Sequence, residues 1–260
     1  MSDGRRVFLD TTIQIERLTG TRARRAQLAD QLVGKEAVTS TYVLGEFLRT
    51  LVKDCITLYT LVAQNAYLDD VEVQIANRFN KREASRCLLL WATLHRARAY
   101  GREKVLYTLR TYIEYGLVQA FMAGVEQVSD ATGCGLAQER PLQVEGTYRL
   151  RAQCRREVKE CRLEEWLGAH SATLDSAVPH LRTSGEPALV RIGELLEEFP
   201  HAPETVRGRN CTWYLGDLII TLECPAGAAL YTTNRRHFGV LCTQLGKRMY
   251  EPKRQGAKDG

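Results

Sequence analysis

The residues best suited to chemistry in this chain are carboxylates that follow short apolar runs. Val7-Phe8-Leu9 ends in Asp10-Thr11-Thr12, the pattern of a buried strand that delivers an acid at its carboxyl end. Functional carboxylates in open α/β sheets often stand there. Glu46 lies in Thr41-Tyr42-Val43-Leu44-Gly45-Glu46-Phe47-Leu48, and Asp217 lies in Gly216-Asp217-Leu218-Ile219-Ile220. Leu230-Tyr231-Thr232-Thr233-Asn234 ends a further apolar run in hydroxyls and an amide. Three acids and one amide brought to one edge would repel one another unless a cation compensated them. Oxygen-only donors suit Mg²⁺ or Mn²⁺.

The elements that must position these groups are legible in outline. Ala37-Val38-Thr39-Ser40 reads as a second strand. It runs into a helix with Val43, Leu44, Phe47, Leu48 and Leu51 on one stripe, and Glu46 sits at the border of that stripe. Asp217 falls in the first turn of a late helix, and the strand ending at Asn234 follows it. Each acid also has a plain structural use. Asp10 and Asp217 are good helix N-caps, and Glu46 stands three residues before Arg49.

Four segments in this order, VFLDTT, TSTYVLGEFLRTL, GDLIITLECPAG and LYTTNRRHF, resemble the PIN-domain ribonucleases, a family that includes VapC-type toxins. The resemblance covers about the first fifty and the last fifty residues. It implies a three-layer α/β/α sandwich around a short parallel sheet, and cleavage of RNA phosphodiesters with Mg²⁺ or Mn²⁺. It implies that Asp10, Glu46 and Asp217 bind the metal and that Thr12 orients a water. Asn234 stands where many members have a fourth Asp, a departure that removes one negative charge but keeps a carbonyl oxygen. Arg235, Arg236 and His237 follow it and could hold phosphate. The chemistry this permits is hydrolysis in which a divalent cation activates water and offsets charge on the phosphoryl oxygens. The expected partner is RNA, or single-stranded DNA. A second copy of the chain and an antitoxin or other regulatory protein are further expected partners. A nucleic-acid-binding or assembly protein on a weakened nuclease scaffold is the alternative.

The domain division expected from the resemblance is a discontinuous core, residues 1–55 and 206–252, interrupted by a predominantly helical insertion, 56–205, and followed by a disordered basic tail, 253–260. Ile13 to Leu32 reads as one helix. The insertion reads as helical from Arg78 to about Glu126. Ser129 to Gly146 reads as a loop, Tyr148 to Trp166 as an exposed helix, and Ser171 to Thr205 as a connector helical only over Ala188 to Phe199. Arg78, Lys81, Arg82, Arg86, Arg96, Arg98, Arg102, Lys104 and Arg110 give the insertion a density of positive charge that could track phosphates, with Tyr100, Tyr107, Tyr112 and Tyr115 nearby to stack bases.

Composition sets outer bounds. The chain has 260 residues, 44% of them apolar, and a formal charge of +5, which is compatible with a polyanionic partner. No apolar run reaches the roughly 18 residues of a membrane span, and a strand at the very start leaves no room for a signal peptide, so a cytoplasmic protein is expected. Eight cysteines in such a compartment are thiols or metal ligands rather than disulfides. Cys134, in Thr-Gly-Cys-Gly, together with Cys154, Cys161 and His170, is a candidate structural Zn²⁺ set. Cys55, Cys87, Cys211, Cys224 and Cys242 read as core thiols.

Overall fold

The fold is taken from a computed structural model, which describes residues 5–150, 154 and 161–252. The first half runs β1 (Arg6–Leu9), α1 (Thr11–Thr19), α2 (Arg22–Leu32), β2 (Glu36–Ser40) and α3 (Thr41–Gln64). It continues through α4 (Asp69–Arg78), α5 (Lys81–Thr93), α6 (His95–Ala99), α7 (Arg102–Thr111), a π-helical turn (Tyr112–Gly116) and α8 (Leu117–Met122). The second half runs β3 (Gln127–Ser129), a 3₁₀ turn (Gly135–Ala137), β4 (Leu142–Val144), β5 (Thr147–Arg149), α9 (Leu163–Ala169), α10 (Ser171–Arg182), α11 (Pro187–Glu198), a second 3₁₀ turn (Pro203–Val206), α12 (Arg209–Trp213), α13 (Gly216–Glu223), β6 (Ala229–Tyr231), α14 (Arg235–Gln244) and β7 (Arg248–Met249).

Five strands form one parallel sheet in the order β3-β2-β1-β6-β7. Parallel strands need cover on both faces, and the alternation along β1 supplies it. Phe8, with Val38 and Leu230, joins a large apolar cluster built on α3, α13 and α14. Val7 and Leu9, with Ala37 and Tyr231, join a smaller one closed by Ile13 and Leu28. All five strands point the same way, so Asp10, Ser40, Ser129 and Thr232 fall at one edge. Among the described residues no helix is long and apolar enough to cross a membrane.

Several local expectations are corrected. The span from Ile13 to Leu32 is two helices, parted at Gly20, whose N–H closes α1 on the Glu16 carbonyl. Ser129 to Gly146 is not all loop: it ends in β4, which pairs antiparallel with β5. Tyr148 is therefore in a strand. Its ring meets Tyr59 edge-on at 5.2 Å and its hydroxyl donates to Glu114 at 2.7 Å, tertiary contacts that override the helical charge pattern. Of the helix expected over Tyr148–Trp166, residues 151–153 and 155–160 lie outside the described residues, and the helix begins at Leu163. Ser171–Arg182 is helical despite Pro179 within it, with Leu174, Ala177 and Leu181 buried along one face.

The division into core and insertion is crossed twice. Helix α3 runs unbroken through residue 55, and β3, an edge strand of the sheet, comes from the 56–205 segment. Residues 253–260 lie outside the described residues. The insertion's basic residues are not all facing solvent. Arg86 pairs with the buried Asp54 of α3 through bonds of 2.9 and 3.2 Å, Arg98 pairs with Glu72, and Arg102 donates to the Val62 and Ala63 carbonyls at the end of α3. Tyr100, Tyr107 and Tyr115 are exposed, whereas Tyr112 packs against the core.

Candidate functional site

Asp10 leaves β1 as the N-cap of α1. It is 2% exposed, and each of its oxygens has a partner. Oδ1 accepts from the Thr11 N–H at 2.5 Å, and Oδ2 accepts from the Thr12 and Thr232 hydroxyls at 2.7 Å each. The same two hydroxyls accept in turn from the Thr233 and Asn234 N–H groups. The ends of β1 and β6 are thus laced together around one carboxylate. Thr12, expected to orient water, spends its proton on Asp10. Burial raises the Asp10 carboxyl from 3.8 to about 6 against these hydrogen bonds, and Asp217 pushes the same way.

Glu46 comes from the second turn of α3. The Thr11 hydroxyl donates to its Oε2 at 2.8 Å, and Arg49 stands 3.7 Å from its Oε1. Burial raises its carboxyl to about 7; Thr11 and Arg49 oppose this, while Asp10 and Asp217 reinforce it. Asp217, in the first turn of α13, is raised by burial and lowered by His237 and Asn234. His237 Nδ1 lies 2.8 Å from Asp217 Oδ2, and the Asn234 side-chain nitrogen donates to the same oxygen at 3.1 Å. Asn234 therefore turns its donor, not its carbonyl oxygen, toward the acids.

These groups line one cleft of about 540 Å³: Asp10, Thr11, Thr12, Glu46, Asp217 and Asn234 on one side, with Arg49, Lys53, Arg86, Thr212, Trp213 and Phe238 completing it. The sequence reading brought the four acid and amide positions together and missed the cationic wall. Its signal was present, because Glu46, Arg49 and Lys53 follow one another on α3 at spacings of three and four. Arg86 arrives from α5 and has no local signature. Of the expected phosphate holders, Arg235 reaches the Tyr250 carbonyl and Arg236 pairs with Glu186. His237 instead serves Asp217.

A second recess of about 720 Å³ carries Arg22, Arg25, His95 and Arg96. Residues of α1 and α5 line both recesses. Thr12, Ile15 and Thr19 follow one face of α1, and Arg86, Leu89 and Thr93 follow one face of α5. Asp10, Glu46 and Asp217 line one recess, and Arg22, Arg25 and Arg96 line the other.

The chemistry of the donor set fits a hard divalent cation: all oxygen, largely buried, and mutually repelling. The set is not drawn to a metal's ligand spacing, since among the described residues no three His, Cys, Asp or Glu side chains are so placed. Gly216 is part of the fit. A Cβ there would stand 2.8 Å from Glu46 Oε1 and 3.4 Å from the Tyr42 hydroxyl. Gly216→Ala is therefore expected to leave thermal stability nearly unchanged, because a carboxylate at the end of a flexible side chain can move aside. It should lower any activity that needs Glu46 by roughly tenfold or more, since small misplacements of a reacting group carry large rate costs. Paired melting and turnover measurements check this; equal turnover would remove Glu46 from the working site.

Comparison with family models, with curated proteins and with solved structures gives no match to this chain.

Proposed function

We propose that this chain is a PIN-like phosphodiesterase dependent on Mg²⁺ or Mn²⁺, an endonuclease acting on RNA. The observation that carries the reading is the convergence of Asp10, Glu46 and Asp217, from three separate elements, on one cleft at the carboxyl edge of a parallel sheet. Asp10, Glu46 and Asp217 would hold the metal, which when bound supplies water activation and charge compensation at the phosphoryl group. The chain's own residues do the rest. Thr11, Thr12 and Thr232 hold the Asp10 and Glu46 carboxylates in place by hydrogen bonds. His237 and Asn234 hold Asp217 from the other side. Arg49 and Lys53 supply positive charge on the wall where a phosphodiester would lie, and the exposed Trp213 offers a face for a base.

The second, basic recess with Arg25 and Arg96, lined like the cleft by residues of α1 and α5, supports a strand rather than a small phosphate ester as substrate. Arg25→Glu with Arg96→Glu is expected to weaken single-stranded RNA binding about tenfold and to flatten its salt dependence by one to two phosphate contacts. The rate at saturating substrate should stay unchanged. Fluorescence anisotropy over a salt series, with turnover in parallel, reads both.

The function is tested by incubating labelled RNAs and single-stranded DNAs with the protein and Mn²⁺, with Asp217→Asn as control. Cutting that the variant loses supports the nuclease and names the substrate class. A well-folded protein that binds RNA but never cuts favours the second reading, a binding or assembly module. The observation favouring that reading is Asn234, whose nitrogen faces Asp217 where a fourth acid would add an oxygen.

A further inference from the structure

Arg49, Lys53 and Arg86 all line the acidic cleft, and their surroundings differ. Arg49 is engaged within the fold: one guanidinium nitrogen donates to the Thr212 carbonyl at 3.1 Å, and the other stands 3.7 Å from Glu46. The Lys53 side chain is 64% exposed, with Glu83 4.0 Å away, so its ammonium rides on a flexible, solvated stem. Arg86 is unlike both. It reaches the cleft from the middle of α5, and Asp54 of α3 grips one edge of it. Nε donates to Asp54 Oδ2 at 2.9 Å and Nη2 donates to Oδ1 at 3.2 Å. Two parallel bonds fix the plane of the guanidinium as well as its position. The Asp54 side chain is 5% exposed and that of Arg86 27%, so the carboxylate is interior while the guanidinium breaks the surface. Its other edge stays available. Among the described residues Nη1 has no hydrogen-bond partner.

An ion pair is a costly way to join two helices. Burial pushes the Asp54 carboxyl up, against the pull of Arg86, and an apolar pair in the same place would fasten α3 to α5 at least as well. Apolar residues already do so: Leu51, Cys55 and Leu58 of α3 share one core with Cys87 and Leu90 of α5. An apolar pair could not present a fixed positive fork to the cleft. Asp54 follows Glu46 by eight residues on α3, about 12 Å along the axis. A phosphate held by Arg86 therefore lies beside the acids, not among them.

We propose, on the reading of the cleft as a phosphodiester site, that Arg86 is its phosphate clamp and that Asp54 is the positioning residue that aims it. The available edge of the guanidinium binds the non-bridging oxygens of a backbone phosphate near the one the acids would cut. Asp54 touches no substrate and acts only through Arg86. Because Arg86 comes from the helical segment and Asp10 from the sheet, the segment takes part in holding the strand.

The test is binding of a short single-stranded RNA to the full chain without added metal, read by fluorescence anisotropy over a salt series, with cleavage in Mn²⁺ measured in parallel. Removing Arg86 alone would strand the Asp54 charge, so the variant to make is Asp54→Asn with Arg86→Gln, a neutral amide pair in the same space. It should bind roughly tenfold more weakly, and its salt dependence should lose about one phosphate contact. In cleavage the loss should fall on KM rather than on kcat. Arg86→Lys keeps the charge without the fork, and Asp54→Asn alone keeps the fork without its aim; each should retain the wild-type salt dependence and still lose affinity. In a series of RNAs each carrying one neutral methylphosphonate linkage, one linkage should weaken wild type and leave the double variant unchanged. A folded double variant that binds with wild-type affinity and salt dependence overturns the proposal, as does a loss confined to kcat. Should the double variant fold poorly, Arg86→Lys decides, and wild-type affinity in that variant overturns it. A chain that shows the expected binding pattern but never cuts disproves the nuclease and leaves the clamp. One that cuts without that pattern disproves the clamp alone.

Discussion

Asp10→Asn is expected to abolish metal-dependent cleavage while stabilising the metal-free protein at alkaline pH. Losing a group that only supports a metal ligand already costs ten- to a hundredfold, so losing a ligand itself should cost roughly a thousandfold or more. The stability effect has the opposite sign. Burial raises the Asp10 carboxyl from 3.8 to about 6, so the fold prefers the proton. The favourable contribution is complete below the unfolded value and disappears as pH rises through the folded one. Above pH 7 the ionised carboxylate costs about 3 kcal/mol relative to a neutral one. Asn is neutral and of the same shape, and the Thr12 and Thr232 hydroxyls can turn to accept from its amide. The melting temperature of the variant should exceed that of wild type by about 5 °C at pH 8, with little difference at pH 4. Equal melting curves at both pH values would mean that Asp10 is a cap and nothing more.

The affinity for Mn²⁺ should climb by roughly a hundredfold or more between pH 5 and pH 8. Asp10 is raised to about 6, Glu46 to about 7, and Asp217 upward as well. Each must lose its proton to serve as a ligand, so the metal competes with protons through this window. Titration calorimetry near pH 6.5 in two buffers of different ionisation heat should count between one and two protons released per metal bound. Binding that does not change with pH would disconnect the three carboxylates from the metal. The same coupling predicts that Mn²⁺ raises the melting temperature more at pH 8 than at pH 5.

The acidic cleft was legible because each part of it announces itself locally. Val7-Phe8-Leu9 before Asp10, the apolar stripe around Glu46, and the apolar run after Asp217 are short patterns that need no distant partner. What was not legible depends on pairing across the chain. The edge strand Gln127–Ser129 holds a single apolar residue and exists because β2 offers it a partner. The Leu174, Ala177 and Leu181 face of α10 was visible as spacing, but the surrounding prolines argued for a connector; burial of that face outweighs the hydrogen bond that Pro179 removes. Arg86 belongs to the cleft only because Asp54, thirty-two residues earlier, holds it there. Among the described residues, the Cys134, Cys154, Cys161 and His170 set expected for zinc is not placed to hold a metal, and His170 instead lies against the Trp166 ring with Nδ1 2.8 Å from the Trp166 carbonyl.

Helix α3 is 24 residues long, about 36 Å at 1.5 Å per residue, and it belongs to both parts of the molecule. Its first half carries Glu46 and packs Val43 and Phe47 beneath the sheet's edge; its second half buries Leu58, Leu61 and Val62 among the helices that follow. The segment after it is therefore not an appendage that could be trimmed to leave the acidic cleft standing alone. A deletion from residue 66 to 205 would strip the cover from the distal half of the helix, remove an edge strand, and take away the arginine cap on its last carbonyls. The same rigidity makes the helix a lever. A displacement of the distal helices that moved this rod as a body would also move Glu46, because one helix carries both.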